Sequence, residues 1–245
     1  MKNEIRCSVA MATYNGERYI AEQIESVLRN MKKNDELIIS DDGSTDNTRT
    51  IIGHYMEYDE RIHLVEGPQK GAIRNFENAL QYVNGQVVFL CDQDDIWEMD
   101  KMDKVLAAMQ EDVTLVMHDA VVVEAGTVIV PSFMRYRGSK QGLLNNIIKN
   151  SYIGCCMAFK RELLNCVLPF PKRICMHDQW IGVMNDLMGQ NRFIEDKLLH
   201  YRRHGSNVSP MNGKNIGEKI TNRINMICAV VGRMREIKQM KKGRS

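Results

Sequence analysis

Hydrophobic positions along the first half of the chain recur in two alternating periods. Ile5 to Ala12 form a short apolar, β-prone run that stops at the polar turn Thr13-Tyr14-Asn15-Gly16. From Glu17 onward, Tyr19, Ile20, Ile24, Val27, Leu28 and Met31 return at three- and four-residue spacing, the stripe of an amphipathic helix. A second strand is predicted at Glu36 to Ser40, then a helix carrying Thr50, Ile51, Ile52, Tyr55 and Met56. Next come a strand at Ile62 to Val65, a helix from about Ile73 to Val83, and the buried run Val87-Val88-Phe89-Leu90-Cys91. This alternation predicts an α/β fold with a mostly parallel, Rossmann-like sheet flanked by helices. Beyond it the pattern is less regular. A helix (Met102, Val105, Leu106, Met109) leads to strands at 113–117, 121–123 and 127–130, the last two joined by a hairpin at Gly126. Pro131 to Lys140 reads as a mobile basic loop, 143–148 as a helix and 152–159 as a small-residue strand. Met176-His177-Asp178-Gln179-Trp180 opens another helix, and Phe193-Ile194 with Leu198 to Tyr201 make a strand ending in Arg202-Arg203-His204.

Each predicted strand of the first half ends in polar or acidic residues. Thr13 to Asn15, Asp41-Asp42 and Asp92-Gln93-Asp94-Asp95 thereby converge on the carboxyl edge of the sheet, where such folds bind ligands. Three carboxylates within four positions repel one another unless they are solvated, protonated or neutralised by a cation. An all-oxygen group suits Mg²⁺ or Mn²⁺ carrying a phosphate, and an exposed acidic turn is the alternative. Ser44 or Asp46 can cap the following helix, which accounts for part of the second acidic cluster. Neither the dinucleotide fingerprint nor the phosphate loop of NTPases is present, so phosphate must be held through a metal or isolated bases.

The 245 residues carry 33 bases and 31 acids, a net charge of +2, so no global field selects nucleic acid as a partner. The start lacks a long apolar leader and no window approaches eighteen consecutive apolar residues, so a cytoplasmic protein is expected. The seven cysteines, Cys7, Cys91 and Cys228 among them, mostly sit in apolar runs and read as reduced, buried thiols. After Pro210 the tail is rich in Lys and Arg. Ile216, Ile220, Ile224, Ile227, Val231 and Met234 recur there at helical spacing, a basic amphipathic helix suited to an anionic membrane surface or to packing on its own domain.

Five segments in this order, Thr13-Tyr14-Asn15-Gly16, Asp41 to Asp46, Asp92-Gln93-Asp94-Asp95-Ile96-Trp97, His177-Asp178-Gln179-Trp180 and Tyr201-Arg202-Arg203-His204, resemble the motifs of family 2 glycosyltransferases. These are inverting enzymes of the GT-A fold that move a sugar from a nucleotide diphosphate donor. The acid-rich third segment is most similar to that of bacterial polysaccharide rhamnosyltransferases. The resemblance covers roughly residues 5 to 210. It implies one GT-A domain over 1–210, with a nucleotide-sugar-binding half to about 118, an acceptor-facing half from about 119, and a helical tail over 211–245.

It further implies a dTDP- or UDP-sugar donor and a glycan acceptor, lipid-linked if the tail meets a membrane. Asp42 matches the aspartate on the pyrimidine base, with Asp41, Thr13, Tyr14 and Asn15 beside the nucleoside. Asp92 falls near the ribose and Asp94 on the metal, Mg²⁺ or Mn²⁺. His204 is a further metal or phosphate contact, or else a surface histidine. Asp178 takes the place of the general base, an N-cap being the alternative for an aspartate there. His177 and Trp180 would lie beside it, Trp180 stacking on a sugar. Arg74-Asn75 resembles the segment near the diphosphate or base, and Gly154-Cys155 the wall near donor sugar and acceptor. A sugar nucleotidyltransferase or a non-catalytic sugar-nucleotide-binding module is the competing expectation.

Overall fold

The computed structural model describes residues 6–205 and 216–242. Its first half alternates β1 (Cys7–Thr13), α1 (Ile20–Asn30), β2 (Asp35–Asp41), α2 (Thr48–Tyr58), β3 (Ile62–Glu66), α3 (Ala72–Gln81) and β4 (Val87–Asp92). A two-residue β5 (Ile96–Trp97) and α4 (Lys101–Ala108) then lead to the long β6 (Val113–Glu124) and β7 (Thr127–Val130). There follow α5 (Phe133–Arg137), α6 (Leu143–Ile148), β8 (Met157–Lys160), α7 (Leu164–Val167), α8 (His177–Met188), β9 (Gln190–Arg203) and α9 (Ile216–Lys242).

The strands form one sheet in the order β3-β2-β1-β4-β8-β6-β9-β5, with β7 added to β6. β1 pairs in parallel with both β2 and β4, and β2 with β3. Register decides the rest: Thr13 stands opposite Asp41 and Ala12 opposite Asp92, so the polar ends of three strands meet at one level. β8 is antiparallel to both its neighbours, β4 and β6. Val9, Met11, Leu37, Ile39, Val88 and Leu90, all fully buried or nearly so, sit among the core residues of these central strands. Strands covered on both faces need continuous apolar runs, which is what these are.

Several expectations for the second half change. The loop expected at 131–140 holds α5, because the Asp119 carboxylate accepts from Ser132 Oγ at 2.5 Å and Met134 N at 2.8 Å, and Ser132 Oγ caps Arg135 N at 3.2 Å. The strand expected over 152–159 breaks at a 3₁₀ turn, Gly154–Cys156, before β8 begins. The single strand expected from Phe193 to Tyr201 is present as β9, somewhat longer than its apolar residues mark and held along its length by β6. Cys228 is exposed, since it lies on the outer side of α9.

The tail is helical, but its apolar stripe does not face the domain. Met226, Arg233 and Ile237 are buried, whereas Ile220, Ile224, Ile227, Val231 and Met234 are each more than a third exposed. The inward face is decided by Arg233. Its guanidinium donates to the carbonyls of Cys166, Leu168 and Pro169 at 2.8, 2.8 and 2.5 Å and lies 5.7 Å from the Trp180 ring centre. Three converging carbonyls suit a guanidinium fork better than any aliphatic residue. The predicted tail residues Lys214 and Arg244 lie outside the described residues.

Candidate active site

The polar strand ends open into a cavity of about 820 Å³. On one side the β1 turn, the Asp92 to Asp94 loop and the segment around Gly71 contribute; on the other, α5, the Gly154–Cys156 turn and the start of α8. Gln93 joins the first two of these. Its Oε1 accepts from Thr13 Oγ1 at 2.5 Å and Tyr14 N at 2.9 Å, and its Nε2 donates to Tyr14 O at 3.1 Å. Asn15 takes the left-handed conformation (φ 47°), with its Oδ1 accepting from Thr45 N at 2.9 Å. The turn and the second acidic loop are thus fastened together.

Asp42 lines the cavity and accepts from Gly71 N at 2.7 Å and Lys70 N at 3.3 Å. Gly71 is needed there, since its φ of 81° is costly for a side-chain-bearing residue. Asp41 is different. It is fully buried outside the cavity, bonded to Ser44 N at 3.0 Å and Ser44 Oγ at 2.5 Å, so its expected place beside a nucleoside is corrected to loop closure. Asp46 accepts from Thr48 N at 3.0 Å, but the N-cap position of α2 is Asn47, so the expected cap by Ser44 or Asp46 is corrected to a turn just ahead of the helix. Asn75 reaches the cavity wall, but its amide is consumed by Thr13 O, Ser40 O and Ser40 Oγ at 3.1, 2.8 and 2.6 Å. Arg74 is not in the cavity at all. It donates to Phe170 O at 3.0 Å and Pro171 O at 2.9 Å and pairs with Glu77, which corrects its expected approach to a diphosphate.

Asp92 and Asp94 both line the cavity, and Asp94 Oδ2 lies 2.7 Å from His204 Nε2. The His204 ring stacks on Tyr19, centres 4.5 Å apart. β9 brings His204 there because Arg202 N donates to Asp95 Oδ1 at 3.0 Å, pinning the end of that strand to the acidic loop. Burial and the charges of Asp94 and Asp178 push the Asp92 carboxyl up to about 7. Burial, with Asp94 and Asp92, likewise raises Asp95. Ligating atoms of Asp92, Asp95 and Cys155 lie within 4.8 Å of one another. Crowded carboxylates are hard oxygen donors that fit a divalent cation such as Mg²⁺ or Mn²⁺, and an imidazole beside them is a borderline donor that Mn²⁺ also accepts. Asp94 and His204 would hold it, with Asp92 beside them.

Beneath this group lies Lys101, fully buried at the start of α4. Its ammonium donates to Cys155 O at 2.8 Å and sits 3.8 Å over the Trp97 ring, and burial lowers its pKa. It fixes the turn that carries Gly154 and Cys155 in the cavity wall. Gly154 leaves little room for a side chain: a Cβ there would stand 3.0 Å from His177 Nε2, which would have to give by a few tenths of an ångström, and 3.5 Å from Asp178 Cβ. The close approach of turn and helix favours glycine.

Asp178 lies in the first turn of α8, whose N-cap position is Met176. Its Oδ1 accepts from Gln179 N at 2.5 Å and from Asn150 Nδ2 at 3.1 Å, while the residue lines the cavity. His177, beside it, stacks on Phe76 with centres 4.0 Å apart, and neither ring nitrogen has a partner among the described residues. Trp180 is not at the site. It is fully buried and its Nε1 donates to Val167 O at 2.9 Å, so the expected stacking on a sugar is corrected to a core role.

Burial holds the His177 imidazole below its ordinary value of 6.5. The unfolded chain then takes up a proton near that pH which the folded site resists, so this contribution to stability is complete above 6.5 and is lost as pH falls below it. His177→Phe keeps a ring on Phe76 and is expected to lose less stability than wild type between about pH 7 and about pH 5. Urea denaturation at both pH values measures the difference; equal losses would mean the ring is protonated in the folded site.

The family model described as Glycosyl transferase family 2 matches residues 8–168, a stretch that includes the β1 turn, both acidic loops and the Gly154–Cys156 turn. The chain belongs to glycosyl transferase family 2. Among relatives of this family-2 chain, the UDP-Glc:alpha-D-GlcNAc-diphosphoundecaprenol beta-1,3-glucosyltransferase WfgD of Escherichia coli is 30% identical over 184 residues, covering 73% of this chain and 70% of its own. The dTDP-rhamnosyl transferase RfbG of Shigella flexneri is 28% identical over 215 residues, covering 80% and 72%. S. aureus TarS 1-349 in complex with UDP-GlcNAc superposes with a TM-score of 0.71 at 20% identity, over 91% of this chain and 66% of that one. The fold is therefore GT-A, with a helix at the C-terminal end of the described chain. The chain spans about two thirds of the length of several relatives it matches.

Four residues of the site escaped the sequence reading as site-builders: Gln93, Lys101, Arg137 and Asn150. Gln93 sits inside a recognised motif and its spacing alone marks it. The other three carry no local signal, since a lysine, an arginine or an asparagine in a polar stretch ordinarily faces solvent.

Proposed function

We propose that this protein catalyses inverting transfer of a sugar from a dTDP- or UDP-sugar to a hydroxyl of a glycan acceptor, in the assembly of a bacterial capsule, O-antigen or cell-wall polysaccharide. The observation that carries this reading is the pairing within one cavity of the Asp92, Asp94 and His204 group with an Asp178 carboxylate oriented by Asn150. The names of two relatives, one a UDP-glucose enzyme and one a dTDP-rhamnosyl transferase, support the donor class and make rhamnose or glucose the first sugars to test. Asp42 and the β1 turn, Thr13 to Asn15, bind the nucleoside, and Asp92 faces the ribose.

When bound at Asp94 and His204, Mg²⁺ or Mn²⁺ supplies positive charge to the departing diphosphate. Asp178 takes the proton of the acceptor hydroxyl as that oxygen attacks the anomeric carbon, and Asn150 keeps one carboxylate oxygen occupied so that the other faces the cavity. Gly154, Cys155 and His177 bound the space for sugar and acceptor. No covalent enzyme intermediate is required. The test is release of nucleoside diphosphate from a panel of dTDP-, UDP- and GDP-sugars, with and without acceptor and with and without EDTA. Acceptor-stimulated release from one donor is expected; release of pyrophosphate from a sugar phosphate and a nucleoside triphosphate would overturn the reading in favour of a nucleotidyltransferase.

The protein acts at the cytoplasmic face of the membrane, on a lipid-linked acceptor. No helix among the described residues is long and apolar enough to cross a bilayer. The outward stripe Ile220, Ile224, Ile227, Val231 and Met234, flanked by Lys219, Arg223, Arg235 and Lys238, supports contact with an anionic surface instead. Vesicles containing phosphatidylglycerol are expected to sediment the wild type. Replacing Ile220, Ile224 and Ile227 by Ser should lower the bound fraction about 10-fold or more, at about 0.8 kcal/mol per buried CH₂. Equal sedimentation would remove the tail as the contact.

A further inference from the structure

The two sides of the cavity differ in charge. Asp42, Asp92, Asp94 and Asp178 line it, and among the described residues Arg137 is the only Lys or Arg that does. Arg137 belongs to a stretch of unusual composition: residues 125–161 contain no Asp or Glu but six bases. A guanidinium facing a cavity in such surroundings ordinarily finds a carboxylate, since an unpaired charge out of bulk water is costly. Arg137 forms no ion pair among the described residues. Nη2 donates to the neutral Asn150 carbonyl at 3.2 Å, Nε is buried without a partner, and the guanidinium carbon lies 5.7 Å from the Phe133 ring centre. A second cation approaches from behind, as the Lys149 ammonium donates to the Arg137 carbonyl. Apart from Asp178, which is held by Asn150 and not by Arg137, this side of the cavity has no carboxylate among the described residues to answer that charge.

Asn150 shows which substrate that charge serves. The residue whose carbonyl receives Arg137 Nη2 is the one whose side chain donates to Asp178 Oδ1 at 3.1 Å. Arg137 is therefore built into the same support as the carboxylate assigned to the acceptor hydroxyl. The group assigned to the donor diphosphate, Asp94 with His204, comes instead from the loop after β4 and the residue following β9.

We propose that Arg137 is a specificity residue for the acceptor, binding an anionic oxygen group, phosphate or carboxylate, that the acceptor carries close to the hydroxyl to be glycosylated. The planar fork of Arg137 presents free N–H groups suited to two oxygens of such a group, and Lys149 strengthens the field. The inference rests on the assignment of Asp178 to the acceptor. It deepens that reading by naming the acceptor's charge.

The test uses the full chain with its donor site saturated by UDP and Mn²⁺. Three probes are then titrated by calorimetry: N-acetylglucosamine 1-phosphate, glucuronic acid, and neutral N-acetylglucosamine. At least one anionic probe is expected to bind about 10- to 100-fold more tightly than the neutral sugar, the range for a charge-assisted hydrogen bond. Whichever probe is preferred separates a phosphate-bearing from a carboxylate-bearing acceptor. Arg137→Gln should erase the preference and Arg137→Lys should keep part of it, with UDP affinity unchanged in both. Equal binding of charged and neutral probes to wild type would overturn the proposal. So would a fall in UDP affinity in either folded variant, which would assign Arg137 to the donor. Where UDP does not bind the wild type, dTDP takes its place in the titration; failure of both nucleotides to bind would instead remove the donor-site reading beneath the proposal.

Discussion

Asp178→Asn is expected to lower sugar transfer about 10²–10⁴-fold, the usual worth of a positioned general base. The substitution is nearly isosteric. The amide oxygen can still accept from Asn150 Nδ2 and Gln179 N, so the first turn of α8 should be undisturbed. What disappears is the second carboxylate oxygen and with it the ability to take a proton. An inverting displacement then has to expel the proton to water from a hydroxyl that is still a poor nucleophile. Binding of the donor, which the proposal assigns to Asp42, Asp92 and Asp94, should survive within about 3-fold, because a group acting only in the transition state changes kcat and not ground-state affinity. Transfer rates from product analysis, set beside UDP affinity by calorimetry, separate the two. Near-wild-type transfer would take Asp178 out of the mechanism.

The second large effect is expected from Asp94→Ala. Loss of this carboxylate removes the partner of His204 Nε2 and the foremost oxygen ligand of the proposed cation, so transfer should fall by at least about 10²-fold, with no recovery at high Mn²⁺. The fold should remain. Asp94 is one of the charges that push the Asp92 carboxyl up to about 7, and its deletion relieves that repulsion. The metal-free variant is therefore expected to melt at or slightly above the wild-type temperature, whereas added Mn²⁺ should raise the melting point of wild type only. A variant that keeps full activity and metal response would return the acidic loop to a purely structural role.

The Arg137 proposal concerns the acceptor side, the part of the molecule for which sequence signals were weakest. Donor-side loops lie at the ends of strands whose pairing is regular, so Thr13, Asp42, Asp92 and Asp94 come together as soon as the sheet forms. On the acceptor side the pieces are short. α5 exists because Asp119 holds Ser132 and Met134, and the 3₁₀ turn because Lys101 takes the Cys155 carbonyl. Neither contact leaves a periodic trace.

The same division runs through the whole chain. Alternating apolar periods and acidic strand ends determined an α/β sheet with a cation-suited edge, because burial on a strand or helix face repeats every two or 3.6 residues and is legible locally. The tertiary structure alone decided which polar residues look into the cavity. Arg74 was a candidate for the diphosphate until Phe170 and Pro171, 96 and 97 residues away, claimed its guanidinium. Trp180 was a candidate for the sugar, and its ring is closed over by α7 and Arg233. Asn150 had no candidacy, yet it sets the orientation of Asp178 from 28 residues upstream. The tail stripe had the right period for an inward face, and one buried arginine, reaching three carbonyls of another segment, turned it outward. Such outcomes depend on partners distant in sequence, whose hydrogen-bonding demands must be met once water is excluded.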